Sequence, residues 1–194
     1  MEYKAPESSY IIPSHKIEGP MNIAKKSFYE LAKSRIKYLN TEEFSSWFKK
    51  VTKKQFSLRG STGAFIFLWP KHKKDREGNL KKWIDNLEIA VNKDVFNING
   101  EDYQDIMPFI IEHEIYEGWL SAKKGWGHGQ YEKEDLHKKH LLALRREFLL
   151  AYQKGLADKL LKWRIKMDPS GEYDYKKALK NAKIKSSNLQ NKRD

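Results

Sequence analysis

Apolar residues recur along this chain with two periods, and the switches between them mark out its elements. From Asn22 onward, Ile23, Ser27, Phe28, Leu31, Ile36 and Leu39 fall at helical spacing among lysines and Arg35, which predicts a helix ending near Asn40. A second, short helix follows, with Asn40 as N-cap, Glu43 three residues later, and Phe44, Trp47, Phe48 and Val51 along one side. Gln55 to Gly60 alternates as a short strand before a turn at Gly60-Ser61-Thr62-Gly63. Ala64 to Trp69 is a brief aromatic run that reads as a buried strand stopped by Pro70, and Lys71 to Gly78 as a charged surface loop in which His72 is solvated. Leu87, Ile89 and Val91 alternate with Glu88, Ala90 and Asn92. That is the pattern of a half-exposed strand, continuing toward Val95, Phe96 and Ile98 before the Asn99-Gly100 turn.

The period then returns to helical. A helix is predicted from about Asp105, with Pro108 in its first turn where the missing N–H costs little, and its stripe is Ile106, Ile110, His113, Glu117 and Leu120. Three glycines make Ser121 to Gly129 a loop. A long helix is predicted from about Tyr131 into the 160s, with the stripe Leu136, His140, Ala143, Glu147 and Leu150 and a wider apolar face adding Leu141, Leu144, Phe148 and Tyr152. Asp168-Pro169-Ser170-Gly171 ends it, and a short basic helix around Tyr175 to Lys183 precedes a disordered end. The fold class expected is α+β: N-terminal helices, a small mixed or antiparallel sheet from about residue 55 to 98, and two long helices toward the C-terminus. Residues 1–20 are expected as an irregular leader, 21–167 as a single α+β domain, and 168–194 as a basic, largely disordered tail.

Composition narrows the chemistry. The 194 residues, 39% hydrophobic and 13% aromatic, suffice for one ordinary core. A formal net charge of +12 favours contact with nucleic acid or anionic surfaces, or else describes a solvated lysine-rich exterior. There is no cysteine, which excludes disulfides, thiolate metal sites and a cysteine nucleophile, so any metal must be held by imidazole and carboxylate. The first residues lack a basic stretch followed by an apolar one, and the longest apolar run is too short to span a bilayer; a soluble cytoplasmic protein without membrane contact is expected. A glycine-rich phosphate loop and a Gly-x-Ser-x-Gly turn are both missing from the sequence.

Two polar interruptions of apolar stripes stand out against that background. Burying a carboxylate is costly unless it is paired, yet His113 and Glu117 occupy one core-facing line and His140 and Glu147 another. His113, Glu117 and His140 make a two-His, one-Glu set suited to zinc, or another divalent metal, with one position open for water. Glu114, beside His113, is then placed to act as general base. Glu147 lies two turns beyond His140, about 10 Å along the axis, too far to share the metal, and is assigned to orienting a ligand or pairing with a basic residue. His137 and then His128 are the alternative third ligands. The competing reading needs no metal: His113 bonds Glu147, and Glu117 bonds Arg145 or a lysine.

The run from Leu87 to Leu120, an alternating strand followed by a helix bearing His113-Glu114-x-x-Glu117, resembles the core of zincin-type metallopeptidases. With the downstream helix carrying His140 and Glu147, it is also similar to small zincin-like proteins of phage and mobile elements. Glu117 stands where the family pattern has His. The resemblance covers about residues 85–150 and implies that His113, Glu117 and His140 ligate zinc, that Glu114 is the general base, and that the substrate is a peptide or protein. The function expected first is a zinc-dependent hydrolase of this kind. The alternatives are a basic nucleic-acid-binding protein or nuclease, contacting nucleic acid through its surface and C-terminal tail, and a non-catalytic helical interaction module.

Overall fold

A computed structural model of the chain describes residues 25–52, 63–74, 76–78, 80–123 and 133–190. The predicted leader, the Gln55–Gly60 strand and residues 124–129 of the predicted loop, His128 among them, lie outside the described residues, while Ser121 and Ala122, expected in that loop, still belong to a helix. The architecture is α+β, as the sequence predicts, and is built on a three-stranded sheet of order β1-β3-β2.

Helix α1 (Lys25–Ser34) buries Phe28 and Ala32, but it ends before the predicted boundary. Arg35 turns the chain, and Ile36–Leu39 form strand β1, parallel to β3 (Leu80–Asn92) with Ile36 opposite Ile89. Ile36 and Leu39 thus belong to a strand, because over four residues a helical spacing and a half-buried strand cannot be told apart. Helix α2 (Thr41–Thr52) starts as predicted: the Asn40 side chain accepts from the Glu43 N–H at 2.9 Å, and Glu43 accepts from the Asn40 N–H at 2.9 Å. This reciprocal capping satisfies two N–H groups the helix cannot.

Strand β2 (Ala64–Lys74) runs antiparallel to β3 and does not stop at Pro70. It is the last strand of the sheet among the described residues, where a missing N–H is tolerated, and the ladder shifts register between Trp69 and Pro70. Lys71 to Lys74 therefore extend the strand instead of forming a loop. The half-exposed reading of β3 is also corrected: Glu88, Ala90 and Asn92 are as buried as Leu87, Ile89 and Val91. Helix α2 covers that second face, and Glu88 is neutralised there by Lys37 and bonded by the Trp47 indole N–H, both at 2.8 Å.

Lys93–Phe96 form a 3-10 turn instead of continuing the strand, and β4 (Asn97–Ile98) and β5 (Glu101–Asp102) flank the predicted turn. Asn99 and Gly100 both adopt positive φ, 53° and 79°, as a tight hairpin demands. Helix α3 (Met107–Ala122) follows, with Pro108 in its first turn. The single long helix expected next is two, α4 (Lys133–Gln153) and α5 (Ala157–Met167). Gly155, at φ 72°, ends the first by letting the Leu156 N–H reach back to the Ala151 carbonyl at 2.9 Å and its own N–H to Tyr152 at 3.0 Å. Nor is the C-terminal region the disordered tail with a short helix that its composition predicts. Helix α6 (Glu172–Gln190) packs on α4 and α5 and buries Tyr175, Ala178, Leu179 and Ala182.

The sheet lies between α2 on one face and α3, backed by α1, on the other, with α4, α5 and α6 beyond α3. No helix among the described residues is long and apolar enough to cross a membrane.

Candidate metal centre

Helix α3 is held close against β2 by a glycine. A Cβ built on Gly118 would lie 2.5 Å from Ile66 Cδ1, so only glycine lets the strand settle here without a shift. Of the predicted stripe, Ile106, Ile110 and His113 are fully buried, while Glu117 and Leu120 are half-buried where α4 crosses.

α4 presents His140 at that crossing. His113 Nε2 lies 3.2 Å from His140 Nδ1 and 3.2 Å from Glu117 Oε2, and His140 Nδ1 lies 3.3 Å from the same Glu117 oxygen. The three atoms form a nearly equilateral triangle. For a tetrahedral zinc with bonds of about 2.0–2.1 Å, neighbouring ligand atoms are about 3.3 Å apart, so this triangle fits one face of the coordination tetrahedron. Glu117, His113 and His140 are also the group of potential ligand residues that the described chain brings together.

His113 is fixed from behind. Its Nδ1 meets Glu147 Oε2 at 2.7 Å, and Arg164 of α5 holds that carboxylate with two bonds, Nε to Oε1 at 2.9 Å and Nη2 to Oε2 at 2.7 Å. A carboxylate on Nδ1 makes that nitrogen the donor, which turns the lone pair of a neutral imidazole at Nε2 toward the triangle. Glu147 thus stays out of the triangle, as its distance from His140 along α4 predicts, and pairs with a basic residue as well as with His113. Glu117 bonds the two histidines and not Arg145, which is exposed. His137 is exposed on α4, outside the group.

Glu114 follows His113 on α3, near enough for the His113 and Glu117 charges to act on it. It is 6% exposed, and its Oε2 accepts the Ile66 N–H of β2 at 3.2 Å. Ile66 opposes Ile89 at a position where backbone groups turn away from β3, since Gly63, three residues earlier, makes the ladder bond to Asn92 at 2.8 Å.

The charges follow from these contacts. Burial alone would lower the His113 pKa, but hydrogen bonds to Glu117 and Glu147 raise it to about 9. Burial pushes Glu117 up, and the bonds from His113 and His140 overcome it, leaving the carboxyl at about 2. Burial lifts Glu114 to about 7, against the lowering effect of the His113 charge. Glu147 is lowered despite its burial, by the Arg164 charge and the His113 bond.

Arg164 has no place in the sequence expectations. It falls on the stripe Ala157, Leu160, Arg164, which appears only once the helix is restarted after Gly155. Its guanidinium lies 5.6 Å from the Trp163 ring centre and 5.8 Å from that of Tyr175, which α6 supplies. Comparison of the chain with protein-family models, with curated proteins and with solved structures finds no match.

Proposed function

We propose that this chain is a metal-dependent hydrolase of zincin type, with His113, Glu117 and His140 holding a zinc ion and Glu114 acting as general base on a peptide or protein substrate. The observation that carries the reading is the triangle of ligand atoms with edges of 3.2, 3.2 and 3.3 Å. Without a metal, Glu117 Oε2 accepts from both ring nitrogens, but those nitrogens, His113 Nε2 and His140 Nδ1, then face each other at 3.2 Å, a like-sided approach that a shared cation would relieve. When bound, zinc supplies an acidified water and polarises a carbonyl. Glu114, brought to about 7 by burial, suits a group that must take and return a proton near neutral pH. The Ile66 N–H holds one of its oxygens and leaves the other for the proton. Glu147 keeps His113 in the ligating tautomer.

The test begins with metal content. Protein purified without chelators should carry about one zinc per chain, and His113→Ala and His140→Ala should carry little. Glu114→Gln should keep the metal and lose hydrolysis of a peptide library by about 10²-fold or more, within the range general-base catalysis supplies. Folded protein that takes up no zinc on dialysis would reduce the cluster to a packing network.

A second reading has its own support. From Tyr175 to Gln190, α6 contains five lysines and no acidic residue. Lys176, Lys177, Lys180 and Lys183 are exposed beside Tyr173, 74% exposed, whose ring lies 5.6 Å from the Lys177 ammonium. A face like this suits a nucleic-acid backbone with a base stacked on the tyrosine. Affinity for single-stranded DNA that does not fall as salt rises would remove it.

A further inference from the structure

The Arg164–Glu147 pair is an expensive feature. Glu147 is fully buried and Arg164 only 2% exposed. Two charges removed from water often regain no more than their desolvation costs, and well-packed apolar residues of similar volume often serve stability as well. The pair therefore calls for an explanation other than stability. The geometry offers one, because both Arg164 contacts end on the carboxylate that holds His113.

We infer that Arg164 is the positioning residue of the metal centre: by gripping both oxygens of Glu147, it aims the carboxylate at His113 Nδ1 and so sets metal affinity from two residues away. This rests on the reading of His113, Glu117 and His140 as ligands. Glu147 Oε2 receives two donors, His113 Nδ1 and Arg164 Nη2, each at 2.7 Å, and Oε1 receives Arg164 Nε at 2.9 Å. A carboxylate gripped on both oxygens has no rotation left. A planar guanidinium makes that two-bond grip and an ammonium cannot. The guanidinium also lies near the ring centres of Trp163 and Tyr175, at 5.6 and 5.8 Å, so α6 as well as α5 packs around the group that holds Glu147.

The experiment measures zinc affinity by competition with a chromophoric chelator and, on zinc-loaded protein, the nitrogen-15-coupled proton signal of the His113 ring. Loss of an outer hydrogen-bond partner of a metal-bound histidine lowers affinity by about 10- to 100-fold. Arg164→Gln should fall by that factor and lose the slowly exchanging Nδ1–H signal, and Arg164→Lys should recover part of both. Because Arg164→Gln leaves a buried carboxylate without its cation, the variant carrying Glu147→Gln together with Arg164→Met, which removes both charges, provides a folded comparison. If Arg164 acts through Glu147, this double variant binds zinc no more weakly than Glu147→Gln alone. Unchanged affinity and an intact Nδ1–H signal in Arg164→Gln would overturn the inference while leaving the metal centre standing. A double variant at least tenfold weaker than Glu147→Gln would overturn it too, by showing a separate route. Absence of zinc binding in the unsubstituted chain would remove the metal reading and this inference together.

Discussion

His113 shows how much chemistry one buried side chain can collect. In the metal-free protein its imidazolium bonds two carboxylates and titrates near 9 in place of 6.5. A group raised by folding contributes stability that is complete below its ordinary value and vanishes as pH rises through the folded one. Metal-free protein should therefore lose stability between pH 6.5 and 9, read by denaturant unfolding in the presence of chelator. On the proposed reading zinc displaces the same proton, so its apparent affinity should climb about tenfold per pH unit over that window. An affinity flat with pH would mean that His113 is not a ligand. Glu117 works in the opposite sense: held at about 2 instead of 4.5, it contributes stability above 4.5 that is lost as pH falls through about 2. At this scale the sequence was informative where one helix carried the signal. His113 and Glu117 lie one turn apart on α3, and their shared face follows from spacing alone, whereas the bond of Glu114 to β2 does not. Arg164 reaches the site from another helix through a contact that no local period encodes.

At the scale of elements, local chemistry decided what could be read. The Asn40–Glu43 box lies within four residues and forms as predicted; Asn40→Ala should cost about 1 kcal/mol by chemical denaturation, the usual loss for such a cap. Strand β2 passing Pro70, and α2 closing the second face of β3, are tertiary facts: nothing within Leu87 to Asn92 says that another helix lies above Glu88. Gly155 was hidden because a single glycine inside a helical pattern is often tolerated. Helix α6 was hidden because its buried side is partly alanine and its exposed side lysine, a composition that reads as solvated chain. Gly118 permits a more direct test of packing. Gly118→Val should destabilise the fold by about 1–3 kcal/mol, the usual range for overpacking, through collision with Ile66. Adding Ile66→Ala should return part of that loss, and full additivity of the two changes would show that α3 and β2 do not meet there as described.

On the scale of the whole molecule, the candidate centre joins three helices that short-range signals treat separately. His113 and Glu117 come from α3, His140 and Glu147 from α4, and Arg164 from α5 with Tyr175 of α6 against it. The α+β class was legible because its periods alternate in blocks, and so was the meeting of His113, Glu117 and His140; the part played by α5 was not, since it depends on the helix ending and restarting at Gly155. A ligand that binds only the folded state stabilises it by about 2.7 kcal/mol at a hundredfold excess over its dissociation constant. Zinc should accordingly raise the unfolding midpoint and slow amide exchange in α3 and α4 together, and protection confined to α3 would argue against His140 as a ligand.

The bond between Glu114 and the Ile66 N–H bears on a different hazard, association between molecules. Ala64 to Trp69 is an uncharged run of aromatic and aliphatic residues on the last described strand of the sheet, the type of segment through which copies of a chain stack into fibrils. Glu114 occupies an outward amide in the middle of that run with a carboxylate oxygen, and Pro70 follows with no amide to offer. Replacing Glu114 by glutamine keeps an acceptor over the strand, whereas alanine bares the amide. Of two substitutions equally disabling to a general base, the second should be the one that leaves the protein prone to aggregate on storage.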